Sequence, residues 1–62
     1  MKIKSIDEIK TRGEAQQFAI DYQQWASNQS LSYAEIAEWT ELFSKLAEKF
    51  DLTEEFKENG II

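Results

Sequence analysis

Apolar residues recur along this chain at the three- and four-residue spacings of an amphipathic α-helix. Ala15, Phe18, Ala19, Tyr22, Trp25 and Ala26 form a first stripe, which predicts a helix from Thr11 to about residue 28. Ile36, Trp39, Phe43, Leu46, Ala47 and Phe50 form a second, widened on one side by Leu42, with Glu38, Glu41, Lys45, Glu48 and Lys49 on the opposite face. This predicts a second helix over residues 33–50. The short polar segment Asn28-Gln29-Ser30-Leu31 between them suits the connection of two antiparallel helices. After Asp51-Leu52-Thr53 a third, short helix is predicted from about 54 to 59, ending at Gly60. Counting back from Gly60 puts Phe56 and Ile61 at the two positions whose apolar contact accompanies a Schellman ending, so the final Gly60-Ile61-Ile62 is expected to dock. Residues 5–10 are expected to make one helical turn whose Ile6 and Ile9 cover an end of the hairpin.

There is no proline, and glycine stands only at positions 13 and 60, so the boundaries must come from caps. Ser5 with Glu8, Thr11 with Glu14, and Ser32 with Glu35 each have the S/T-x-x-E form of a capping box. Leu31 and Ile36 sit at the staple positions around Ser32. For the third helix, Asp51 or Thr53 is the expected cap, with Glu54 and Glu55 favouring the dipole in its first turn. The fold class that follows is all-α: a small helical bundle, one domain over residues 1–62. It is built as an antiparallel two-helix hairpin with a short N-terminal turn and a short C-terminal helix.

Composition narrows the function. A chain of 62 residues, 42% of them hydrophobic, supports one small core and no sizeable catalytic pocket. It has no cysteine for a disulfide or a thiolate metal site, and no histidine for the usual zinc ligand or general base. The remaining catalytic candidates are the carboxylate pairs Glu35 with Glu38 and Glu54 with Glu55, together with Tyr22 and Tyr33. Glu35 already has a capping role, and a two-carboxylate hydrolase needs a cleft that so short a chain can hardly enclose. The run Asp51-x-Thr53-Glu54-Glu55 lacks the alternating order of an EF-hand loop. No catalytic, cofactor or metal site and no small-molecule substrate are therefore expected.

Charge argues in the same direction. Twelve acids against seven bases give a net charge of -5, the wrong sign for neutralising phosphates. Leu31 to Glu38 superficially matches the first helix of a helix-turn-helix, but residues 13–44 hold five acids and no base, so direct nucleic-acid binding is not expected. No run approaches the length of a membrane span, and the opening Met-Lys-Ile-Lys-Ser is followed by charges, so the expectation is a soluble, cytoplasmic protein.

Interaction is the class left open. The aromatic residues at helical spacing read first as core. Trp25 and Trp39 are large enough that at least one is expected at the surface, where Trp commonly anchors interfaces. Ile20 lies opposite the first stripe among Gln16, Gln17, Gln23 and Gln24, a neutral face able to meet a partner or a second copy in a four-helix bundle. Charge divides into +2 over residues 1–12 and -7 over residues 13–62. Glu38, Glu41 and Glu48, with Glu14 and Asp21, could thus imitate a nucleic-acid backbone, although Lys45 and Lys49 dilute the field.

The run Leu31-Ser32-Tyr33-Ala34-Glu35-Ile36-Ala37-Glu38-Trp39, with the ending from Leu52-Thr53-Glu54-Glu55-Phe56 to Gly60-Ile61-Ile62, resembles small acidic helical proteins of Gram-positive phages, prophages and mobile elements. The resemblance rests on cap and core residues. It implies a setting in which short proteins act by binding a host or phage protein, and it brings no activity, cofactor or catalytic residue with it.

Overall fold

The caps marked in the sequence set the helix starts in the computed structural model, which describes all 62 residues. A 3-10 turn (Ile6–Glu8) precedes α1 (Arg12–Ala26), α2 (Tyr33–Phe50) and α3 (Thr53–Glu58), and there are no strands. At Ser32 the capping box is complete: the Glu35 N–H donates to Ser32 Oγ and the Ser32 N–H to Glu35 Oε1, each at 3.2 Å. At Thr11 the box is half formed. Thr11 Oγ1 accepts from the Glu14 N–H at 3.1 Å, but the Glu14 carboxylate takes the N–H of Lys10 instead of that of Thr11. At Ser5 the N–H donates to Glu8 Oε2 at 3.1 Å, holding the 3-10 turn.

The helix ends are equally local. α1 stops at Ala26, short of residue 28, because Ser27 Oγ and Asn28 Nδ2 both donate to the Gln24 carbonyl and satisfy an acceptor of the last turn. α2 ends where Asp51 adopts left-handed backbone (φ 56°, ψ 48°) and the Leu52 N–H closes on the Ala47 carbonyl at 2.8 Å. This corrects the expectation for α3. Neither Asp51 nor Thr53 caps it; Leu52 stands at the N-cap without a side-chain bond and is fixed by complete burial. Beyond α3 the Schellman ending forms as its spacing predicts. The Ile61 N–H donates to the Phe56 carbonyl at 2.8 Å, the Gly60 N–H to that of Lys57 at 3.2 Å, and Gly60 has φ +72°.

α1 and α2 pack antiparallel through their aromatic residues. Phe18 lies 5.6–5.8 Å from Phe43 and Trp39, Tyr22 lies 4.8–5.0 Å from the same two rings, and Trp25 reaches Trp39 at 5.9 Å. Phe43, fully buried, also meets Phe56 of α3 edge-on at 5.8 Å, so one side chain joins all three helices. Ile9 is buried and Ile6 packs at the edge of the same core. Lys49 Nζ fastens this N-terminal turn by donating to the carbonyls of Ile6 and Ile9 at 3.3 Å each. Every buried residue is apolar. No helix is long and apolar enough to cross a membrane.

Two residues depart from their predicted surroundings. Trp39, a candidate surface anchor, is core at 5% exposure, whereas Trp25 is the half-buried tryptophan. Ile36, assigned to the core stripe by spacing, is 44% exposed. The buried residues of α2 lie between Trp39 and Ala47, so the first third of the helix contributes nothing to the core.

Candidate interaction surface

The N-terminal end of α2 is helical without being buried. Its first turn is held by the Ser32 box, and from Tyr33 to Glu38 every side chain is exposed. Among these are two large apolar residues, Tyr33 at 88% and Ile36 at 44%. With Ala37 and Thr40 they follow the i, i+3, i+4, i+7 spacing of one helix face, and together with Glu41 they line a shallow depression. The stripe thus faces water along a helix that already has its own core contact through Trp39 to Ala47.

The other candidate residues are placed differently. Ile20 is 47% exposed but borders the α1–α3 groove, alongside Phe56 and Ile61. The glutamines around it are largely engaged within the fold. Gln16 Nε2 donates to both carboxylate oxygens of Glu55 at 3.1–3.2 Å, and Gln23 Nε2 donates to the Asn59 carbonyl at 2.6 Å. These bonds brace α3 against α1 along one edge of the neutral face around Ile20, of which Gln17, Ile20, Gln23 and Gln24 are exposed. Gln24 is exposed, and its carbonyl is occupied by Ser27 and Asn28.

The acidic residues of α2 do not form an open row. Glu41 pairs with Lys45 at 3.3 Å, both side chains well exposed, a contact worth a few tenths of a kcal/mol. Glu38 and Glu41 border a depression shared with Ile3, Ser5 and Ile6 of the N-terminal segment, which lies along this side of the helix. Glu48 is exposed beside Lys49, whose ammonium is engaged by the N-terminal turn. The carboxylates Glu35, Glu38, Glu54 and Glu55 converge on no enclosed cleft, and no group of three or more His, Cys, Asp or Glu side chains is placed to hold a metal ion.

Sequence reasoning considered Tyr33 only as a catalytic candidate and placed Ile36 in the core, so the stripe they form was missed. A signal for it was present in the helix lengths. The six residues of α3 span about 9 Å against about 27 Å for the eighteen of α2, so α3 can cover only part of the longer helix. No protein-family model matches the chain, and no curated protein or solved structure matches it significantly.

Proposed function

We propose that this chain is a non-enzymatic protein–protein interaction protein of phage or mobile-element type, which seats the N-terminal half of α2 on a protein partner. The observation that carries the reading is the pairing of Tyr33 and Ile36, large apolar side chains exposed on a helix segment that buries nothing. Support for a non-enzymatic role comes from the interior. Every buried residue is apolar, whereas catalysis draws on polar groups held in a water-excluded pocket.

The two alternatives have less behind them. An acidic decoy needs a coherent negative field, yet Glu41 is paired with Lys45 and Glu38 lies beside the N-terminal segment. A homodimer through Ile20 needs the glutamine face free, yet Gln16 and Gln23 bind α3.

The test is capture from a Gram-positive host lysate on the immobilised protein, washed at low and moderate salt, beside the double variant Tyr33→Ser/Ile36→Ser. The expected result is a protein retained by the parent chain through moderate salt and lost from the variant. Identical recoveries from both, or no reproducible recovery from the parent, contradict the proposal.

A further inference from the structure

We infer that residues 1–8 form a strap that lifts as a unit from a groove between α1 and α2, with Lys49 as its latch. The strap and α3 meet α1 on different sides. The strap borders Gln17, Phe18 and Asp21, whereas α3 binds Gln16 and Gln23. On α2 the strap borders Glu38, Leu42 and Lys45. Phe18 and Leu42, both buried, thus floor a groove whose cover is this N-terminal segment.

Little fastens the cover. Its own backbone bonds are internal: the Glu8 N–H donates to the Ser5 carbonyl at 3.0 Å, and the Ser5 N–H to Glu8 Oε2 at 3.1 Å. A single hydrogen bond joins residues 1–8 to the helices, from Lys49 Nζ to the Ile6 carbonyl at 3.3 Å. No ion pair crosses the same boundary, the one in the protein being Glu41 with Lys45. Ile6 is half-buried, and Ile3 is still 48% exposed with the strap in place. Lys4 Nζ stands 5.2 Å over the Phe18 ring, a weak attraction at an exposed site.

The root of the strap is held better. Ile9 is buried in extended backbone (φ -101°, ψ 112°), its carbonyl also accepts from Lys49, and the Lys10 N–H is taken by Glu14. The pivot therefore lies between Glu8 and Ile9, where the 3-10 turn gives way to extended chain. Every buried residue other than Ile9 lies at Ala15 or beyond, so the three-helix core is complete without residues 1–8. Segments with few buried contacts and few bonds to the rest open without global unfolding. Lys49 stays on α2 when the strap lifts, its ammonium 5.2 Å from the Phe50 ring. Access to Phe18 and Leu42 is thereby set by one side chain.

The experiment follows the intact 62-residue chain by proton NMR. The parent is compared with Lys49→Met, which keeps an unbranched stem and loses the ammonium, and with Lys45→Met as the control on the same helix. Two signals report the strap, one on each wall of the groove: the upfield ring-current shift of the Lys4 methylenes over Phe18, and the nuclear Overhauser contacts of Ile6 with α2. In Lys49→Met both are expected to fall together, by about half or more, while helicity and the Phe18–Phe43 contacts persist. Lys45→Met is expected to leave both in place. Heating the parent supplies a second test independent of any variant: the Lys4 shift is expected to fade at a lower temperature than helicity.

Unchanged strap signals in Lys49→Met overturn the latch. Loss of the Lys4 shift with the Ile6 contacts intact means fraying of residues 1–4 alone and overturns the unit. Loss of the Phe18–Phe43 contacts along with the strap signals, or coincident fading of shift and helicity in the parent, makes residues 1–8 part of the core and overturns the inference.

Discussion

The two ends of α2 are made of similar residues and held by different means. Between Trp39 and Ala47 the helix places five buried side chains against α1, α3 and the N-terminal turn, and Phe43 alone touches aromatic rings on both other helices. From Tyr33 to Glu38 it buries none, and its visible support is the reciprocal bonding of Ser32 and Glu35. Helical structure in the first region is a consequence of tertiary packing; in the second it rests on a cap and on continuity with the packed half. Tyr33 and Ile36 therefore sit on an ordered surface whose apolar character the fold does not use, the feature on which the proposed interaction rests.

This contrast can be broken or sharpened by substitution. The largest effect is expected for Phe43→Ala, at about 3–5 kcal/mol, enough to leave much of so small a domain unfolded by circular dichroism at 37 °C. Gly60→Ala forces a side chain into left-handed backbone at the packed end and should cost about 1–2 kcal/mol, read as a lower urea midpoint with unchanged slope. Ser32→Ala should cost about 1 kcal/mol. Because the start of α2 lacks buried contacts, that loss should also appear as faster amide exchange confined to the first turns of α2, with the Phe43 region still protected. The smallest effect, of opposite sign, is expected for Asp51→Gly. It relieves the left-handed residue between α2 and α3 and should raise stability by up to about 1 kcal/mol in the same urea titration.

What the sequence makes legible here is whatever neighbours in the chain decide. The limits of α2 follow from Ser32, Glu35 and the apolar stripe, and the ending at Gly60 follows from the spacing of Phe56 and Ile61. The start of α3 was misread because Leu52 takes the N-cap position through burial, with no polar side chain to announce it. Ile36 was misread because periodicity reports which face a residue occupies, and burial depends on whether another element is long enough to cover that face. The braces from Gln16 to Glu55 and from Lys49 to Ile6 and Ile9 join residues 39 to 43 positions apart, and no local pattern encodes such pairs. The same non-local bonds changed the reading of the surface. They tie one edge of the glutamine face to α3, while Tyr33 and Ile36 on α2 have no such brace.

The central claim is that Tyr33 and Ile36 are surplus to the fold and available for binding. Its most direct test is urea denaturation of Tyr33→Ser/Ile36→Ser beside the parent chain. The account predicts stability changed by no more than about 0.5 kcal/mol per substitution, with helicity retained. A loss of about 2 kcal/mol or more for the pair, the scale of removing a buried side chain, would show that these residues belong to the core and contradict the account.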